Sequence, residues 1–196
     1  MGEGDDRGAR FRVILLGPPG SGKGTQGEVL SKQLGVPQIS TGDMLRSAIA
    51  AGSELGRKVQ GLMKLGLLVD DETMLEVVAE RLGQPDTSRG FLLDGYPRTL
   101  PQAHSLDRIL GDGGIDCVLL VEVQEEELIR RMLARGRADD TLEVVGDRQR
   151  IYREETEPLV AYYGERGLVR PISGFQSIQE VTRQMIAALD GIGGRS

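Results

Sequence analysis

The chain has 196 residues, of which 39% are apolar and 28% charged, and its net charge is −6. That balance lies far from the low-hydrophobicity, high-charge regime in which chains stay disordered, and the length suits one α/β domain with small insertions. An acidic chain has little of the basic surface that non-specific nucleic-acid binding needs, so no nucleic-acid partner is expected and any anion must meet a local basic pocket.

The apolar runs 13–16 and 117–121 are strand-sized, and no apolar run of the chain comes near the roughly 20 residues of a membrane-spanning helix, so no membrane partner is expected. The opening Met1-Gly-Glu-Gly-Asp-Asp-Arg has no apolar signal core, and Asp6 stands where a myristoylation motif has Ser or Thr. A soluble, cytoplasmic protein is expected. Cys117, the single cysteine, can form neither an intramolecular disulfide nor a four-thiolate zinc site. It sits in the strand-like Ile115-Asp-Cys-Val-Leu-Leu-Val and is expected to be buried and inert.

In chain order, short apolar runs at 11–16, 36–39, 91–94, 116–121 and 168–172 predict strands, and amphipathic stretches at 22–34, 124–135, 141–164 and 177–190 predict helices. The alternation is that of βαβ units around a parallel sheet covered on both faces. Further helices are expected between 43 and 110, where a long insertion, read as a small helical flap, carries Gly52, Gly61 and Gly66 as breaks or caps. Residues 1–10 and 191–196 are Gly-rich and charged and are expected to fray.

The first run leads into Gly17-Pro-Pro-Gly-Ser-Gly-Lys-Gly-Thr25. A glycine-rich turn between a strand and a helix aims backbone N–H groups at one point beside a helix N-terminus, which makes a phosphate cradle. Gly17, Gly20 and Gly22 permit the tight turn, and Lys23 supplies a cation for the outer phosphates. The usual loop of this kind has Ser or Thr directly after Lys to ligate magnesium; here Gly24 intervenes before Thr25, so the metal is expected to be held largely by phosphates and water. The loop alone establishes only nucleotide binding, because many activities share it.

Two further segments fall at predicted strand ends, where open α/β sheets bind ligands: Ser40-Thr-Gly-Asp-Met-Leu-Arg46 and Gly90-Phe-Leu-Leu-Asp-Gly-Tyr-Pro-Arg-Thr99. Arg46 and Arg98 suit bidentate recognition of an acceptor phosphate, although Arg98 could also be a surface cation after a Pro turn. Asp94 at a strand end beside such a loop could organise magnesium and its waters, or cap the following turn.

Together with the loop, these segments resemble in order and spacing the adenylate kinases of the short-lid bacterial type, over about residues 13–186. The resemblance implies a single P-loop kinase domain (1–196), an α/β three-layer sandwich with a five-stranded parallel sheet and helices on both faces. It also implies a helical flap for a nucleoside monophosphate (40–69) and a short lid (136–146). The implied reaction is reversible phosphoryl transfer between magnesium-bound ATP and AMP to give two ADP, by a monomer.

Residue by residue, the resemblance assigns Gly20, Ser21, Gly22, Lys23, Gly24 and Thr25 to ATP. It assigns Thr41, Arg46, Leu67, Leu68, Val69, Gly95, Tyr96, Pro97, Arg98 and Gln102 to AMP. Thr41 and Gln102 match adenine-reading positions and favour AMP over UMP or CMP. A Gln amide can pair with an adenine edge, but a surface helix Gln would look the same in sequence. Where family members usually read Gly-x-Leu-Val-Pro or Thr-Asp, this chain reads Gly66-Leu-Leu-Val-Asp70-Asp71; the extra carboxylate is expected to cap the next helix.

Further along, Arg130, Arg131, Arg135 and Arg137 crowd an acidic chain. Helix pairs with Glu125–Glu127 could account for Arg130 and Arg131. The resemblance instead assigns Arg131 and Arg135 to ATP and the transferring phosphoryl, and Arg137 and Arg148 to the acceptor side. Asp139 and Asp140 match a family pair that holds lid arginines, while Asp140 with Glu143 also fits a capping pattern. Gln176 matches the loop beside the ATP adenine. No zinc-binding cysteines are present, so no structural zinc is expected. Val145-Gly146-Asp147 puts helical continuity there in doubt, and His104 is read as an exposed helix residue without chemistry. The rival readings are a UMP/CMP kinase, a GTP-using adenylate kinase, and a non-catalytic P-loop nucleotide-binding module.

Overall fold

A computed structural model describes residues 11–137, 140–190 and 192. The expected fraying of 1–10, 191 and 193–196, and the part expected of Asp139, lie outside the described residues.

The strands are β1 (Phe11–Leu16), β2 (Gln38–Ser40), β3 (Gly90–Asp94), β4 (Cys117–Glu122) and β5 (Val169–Ser173). They form one sheet in the order β2-β3-β1-β4-β5, every pair parallel. β1 is central, with Ile14 opposite Leu93 on one side and Val118 on the other. Its unbroken Val-Ile-Leu-Leu is buried because both faces of a parallel sheet are covered. Ile14 and Leu16 enter a core with Leu93, Leu120, Leu159 and Tyr163, while Val13 and Leu15 enter the opposite core with Leu30, Leu119 and Met185. Cys117 lies in the second core, and burial pushes its thiol up to about 11, which leaves it unreactive.

The helices are α1 (Lys23–Leu34), α2 (Thr41–Ala50), α3 (Glu54–Lys64), α4 (Asp71–Leu82), α5 (Leu100–Leu110), α6 (Glu125–Arg135), α7 (Leu142–Ile151), α8 (Pro158–Gly164) and α9 (Ile178–Leu189). α1 and α9 cover one face; α4, α5 and α8 pack over the other. None of the helices among the described residues is long and apolar enough to cross a membrane. The insertion between β2 and β3 begins with α2 and α3, started by the Ser40 and Ser53 side chains, which accept from Asp43 N and Gly56 N. As expected, Asp70 caps α4, accepting from Thr73 N at 2.9 Å.

Several sequence expectations are corrected. The second strand is Gln38–Ser40 rather than 36–39, because Pro37 has no N–H for the ladder and contributes only its carbonyl, to Leu92 N at 2.9 Å. Gly61 lies inside α3 and breaks nothing, whereas Gly52 (φ 62°) and Gly66 (φ 71°) do follow helix ends. α7 runs unbroken through Gly146, since burial of Val145 and Gln149 outweighs the roughly 1 kcal/mol that a helical glycine costs. The interruption of 141–164 comes later: Pro158 cannot donate into the ladder, and the chain widens at Tyr152–Thr156 into a π-helical turn, with Glu157 N reaching Tyr152 O at 2.8 Å.

Candidate active site

In the order β2-β3-β1-β4-β5 the chain leaves β1 toward both sides, and ligands collect above the strand ends at such a switch point. A cleft of about 540 Å³ lies there, walled by the 17–25 loop, the start of α2, residues 66–69, the end of β3 and the arginines of α6 and α7.

α1 starts at Lys23 behind Gly22, which sits at φ 98° and offers no side-chain cap. Glycine is used there for its backbone freedom, since a Cβ would meet open space but a strained φ. The first-turn N–H groups of α1 are therefore available to an anion in the cleft that Gly22, Lys23, Gly24 and Thr25 line. Lys23 Nζ donates to Gly17 O (2.6 Å), Pro18 O (2.9 Å) and Ser21 Oγ (3.2 Å). Burial, countered by Asp94 and reinforced by Arg98 and Arg135, brings its ammonium down to about 8. Asp94 ends β3 so close to the loop that a Cβ on Gly24 would stand 3.6 Å from its Oδ2. Burial raises the Asp94 carboxyl above its ordinary range, with Lys23 and Arg98 opposing.

The opposite wall is organised by the Gly95 carbonyl, which accepts from Thr41 Oγ1 at 2.9 Å and Arg98 Nε at 2.8 Å. Gly95 has φ 84°, and a Cβ there would fall 2.8 Å from Thr41 Oγ1 and 3.1 Å from Arg98 Nη2. Thr156 Oγ1 donates to Arg98 O at 2.8 Å, which ties the residue to the π-helical turn. Burial, with Arg148 and Arg46 nearby and Asp94 opposing, lowers the Arg98 pKa. Arg46 pairs with Asp43. Pro97, reached through a cis Tyr96-Pro97 bond, lines the cleft with Leu67, Leu68 and Val69.

On the third side, Glu127 accepts from both Arg130 and Arg131, and Arg131 Nη2 also donates to Gly174 O at 3.0 Å. Arg131 lines the cleft; Arg130, largely exposed, is the helix-surface arginine that pairing with glutamate had allowed for. The buried Asp140 carboxylate gathers Arg135 through two bonds (2.9 and 2.7 Å), the Arg137 N–H (3.2 Å) and Arg148 Nη1 (3.1 Å). Burial alone would raise its pKa, but the bonds from Arg135 and the charges around it hold it below the usual range. The capping expectation for Asp140 is corrected: Thr141 starts α7, accepting from Val144 N, and Asp140 is given over to the arginines.

Ser21 and Gln176 line a smaller adjoining cavity of about 210 Å³, together with Thr25, Arg131 and Gly174. Gln176 Oε1 accepts from Gln184 Nε2 at 2.8 Å. Tyr96 is not on the cleft wall: it is 1% exposed in the core, and its hydroxyl donates to Gln102 O at 3.3 Å. His104 is exposed on α5, within 3.2 Å of the Tyr162 hydroxyl. Two residues that sequence reasoning missed also shape the site. Gln149 Nε2 donates to Pro19 O at 2.8 Å, tying α7 to the loop, and Asp71 Oδ1 accepts from Gln102 Nε2 at 2.8 Å. A buried polar side chain gives no local signal, so Gln149 was invisible; Asp71 was visible only as part of the Asp70-Asp71 pair before the next helix.

A strand, glycine loop and helix built onto this parallel sheet place the chain among the P-loop nucleotide-binding α/β proteins. Residues 15–168 match the model of the adenylate kinase family. The chain is 49% identical over 181 residues to the adenylate kinase of Nocardia farcinica, covering 91% of this chain and 99% of that one. It is 47% identical over 185 residues to that of Thermobifida fusca (91% and 98% covered) and 46% over 187 residues to that of a Chelativorans species (89% and 96%). The chain belongs to the adenylate kinase family.

Proposed function

We infer that the chain moves a phosphoryl group reversibly between magnesium-bound ATP and AMP, giving two ADP. The observation that carries this reading is one cleft with two cationic walls: the uncapped start of α1 with Lys23, and the Arg98 wall with Arg46, Arg137 and Arg148. A nucleotide switch or binding module needs only the first wall.

On this reading Lys23 and the α1 N–H groups hold the ATP phosphates, Arg131 and Arg135 meet the transferring group, and Arg46, Arg98, Arg137 and Arg148 grip the acceptor phosphate. Phosphoryl transfer through a loose transition state asks mainly for alignment and charge neutralisation, which such a cationic cage supplies. Residues 40–69 serve as the acceptor-side flap and 136–146 as the lid, and their closure would exclude water from the reaction.

The donors fit magnesium: Asp94 is a single carboxylate beside the loop, and Thr25 offers a hydroxyl in the first turn. A hard cation that keeps most of its waters needs no more protein ligands than these. Bound with ATP, magnesium would neutralise charge on the outer phosphates.

Thr41 and Gln102 on the cleft wall support AMP over UMP or CMP as acceptor. On the family resemblance, the enzyme acts as a cytoplasmic monomer. The test is phosphotransfer from magnesium-ATP to AMP, dAMP, UMP, CMP and GMP, with Lys23→Met as control. AMP-dependent ADP formation lost in the variant is the expected result. A UMP or CMP preference would overturn the acceptor assignment, and ATP binding without transfer would return the chain to the binding modules.

A further inference from the structure

Gln102 is 2% exposed, and its side chain makes two bonds of opposite sense. Its Oε1 accepts from the backbone N–H of Arg98 at 2.7 Å, and its Nε2 donates to Asp71 Oδ1 at 2.8 Å. The two ends of an amide are told apart by their partners, and here the partners leave no choice: a backbone N–H only donates and a carboxylate only accepts. Turning the amide over would set Oε1 against the Asp71 carboxylate and Nε2 against the Arg98 N–H, leaving two recessed polar groups unpaired at about 1–3 kcal/mol each. Asp71 is itself held, at the first position of α4, by a bond from Thr99 Oγ1 at 3.1 Å. The lock thus joins the starts of α4 and α5.

We propose that Asp71 is a specificity-determining positioning residue: by fixing which end of the Gln102 amide is donor and which is acceptor, it commits the acceptor site to 6-aminopurine over 6-oxopurine monophosphates. The proposal rests on the reading of Gln102 as facing the acceptor base. Gln102 lines the cleft, and its Oε1 and Nε2 each keep one further hydrogen-bonding position after the bonds above. A 6-aminopurine presents an exocyclic N–H donor beside a ring-nitrogen acceptor; a 6-oxopurine in the same pose presents an acceptor beside an N–H donor. An amide free to turn over could serve both edges, whereas a locked amide serves one and faces the other with like groups. The Arg98 N–H belongs to the backbone, so Asp71 is the half of the lock that a substitution can remove.

The test compares kcat/KM for AMP with kcat/KM for IMP, magnesium-ATP saturating, in the wild type, Asp71→Ala, Asp71→Asn and Gln102→Ala. Asp71→Ala is expected to lower the AMP-over-IMP ratio about tenfold, by a higher KM for AMP and a lower KM for IMP, with kcat for AMP changed little. Asp71→Asn, which keeps an accepting oxygen, should restore most of the ratio. A purely structural role for Asp71 would slow both acceptors alike and leave the ratio unchanged, which would overturn the proposal. If Gln102→Ala moves the ratio and Asp71→Ala does not, the positioning role fails while the acceptor-site reading stands. If Gln102→Ala leaves both the ratio and the KM for AMP unchanged, that reading fails and the proposal falls with it. Denaturant midpoints of all variants identify any that fail to fold.

Discussion

Asp140 and Arg135 meet through two parallel bonds, 2.9 Å from Nε and 2.7 Å from Nη2, with the carboxylate 1% exposed and the arginine on the cleft wall. The fork geometry fixes the guanidinium plane, and the same carboxylate draws in Arg148. One buried acid therefore orients two of the cations that the catalytic reading requires.

Asp140→Asn keeps the shape but removes the charge. Both arginines are partly exposed and retain water, so the loss is smaller than for a fully buried pair, about 1–2 kcal/mol of unfolding free energy by denaturant titration. Because Arg135 and Arg148 lose their orientation, kcat should fall about tenfold or more. Unchanged turnover would remove Asp140 from the positioning machinery.

The same residue predicts a pH dependence. Its folded pKa lies below the ordinary value of about 4, so the unfolded chain takes up the proton first as pH falls. Its contribution to stability is complete above that ordinary value and is lost as pH drops through the folded pKa. Urea midpoints measured from pH 6 to pH 2 should fall more steeply in the wild type than in Asp140→Asn.

Lys23 predicts a pH dependence of ligand binding. With its ammonium lowered to about 8 in the empty enzyme, ATP binding above that pH must be coupled to proton uptake. The Kd for ATP should weaken by up to about tenfold per pH unit between 8 and 10, and Lys23→Met should remove the slope. Stability of the empty enzyme runs the other way: the unfolded lysine stays charged to about 10.4, so the unfolded chain binds more protons and stability rises with pH over that window. A flat ATP affinity across the window would contradict the lowered pKa.

Arg98→Lys preserves a charge and discards the fork. It loses the Nε bond to Gly95 O, which it shares with Thr41, and replaces a planar donor with a point cation. We expect kcat/KM for AMP to drop about 100-fold with ATP affinity intact, read by steady-state kinetics and equilibrium ATP titration.

Tyr163 offers a stability prediction away from the site. Its ring is fully buried in the core with Leu159 and lies T-shaped to the Tyr162 ring, and its hydroxyl has no hydrogen-bond partner among the described residues. Tyr163→Phe deletes an unpaired buried oxygen and should leave stability unchanged or raise it by about 1 kcal/mol; a clear loss in the denaturation midpoint would point to a partner for the hydroxyl.

Much of the molecule could be read along the chain because the signals are local. The Val13–Leu16 run, the glycine loop behind it and the amphipathic periods of α6 and α9 are written within a few residues, since strand burial, φ-positive turns and helix faces depend on near neighbours. The arginines of the cleft were likewise legible as a cluster and by resemblance. Element ends were less so: Pro37 shortened β2, and Pro158 forced the π-helical turn inside a stretch that periodicity read as one helix.

What the tertiary structure alone decided is which polar groups face one another. Asp140 serves three arginines rather than a helix cap, Gln149 reaches back to Pro19 across the fold, and Gln102 is locked between the Arg98 backbone and an acid from another helix. These bonds link residues up to 130 positions apart, and a buried polar side chain looks the same in sequence as an exposed one. Only packing decides which it is, because burial removes water as a partner and makes each donor find an acceptor elsewhere in the fold.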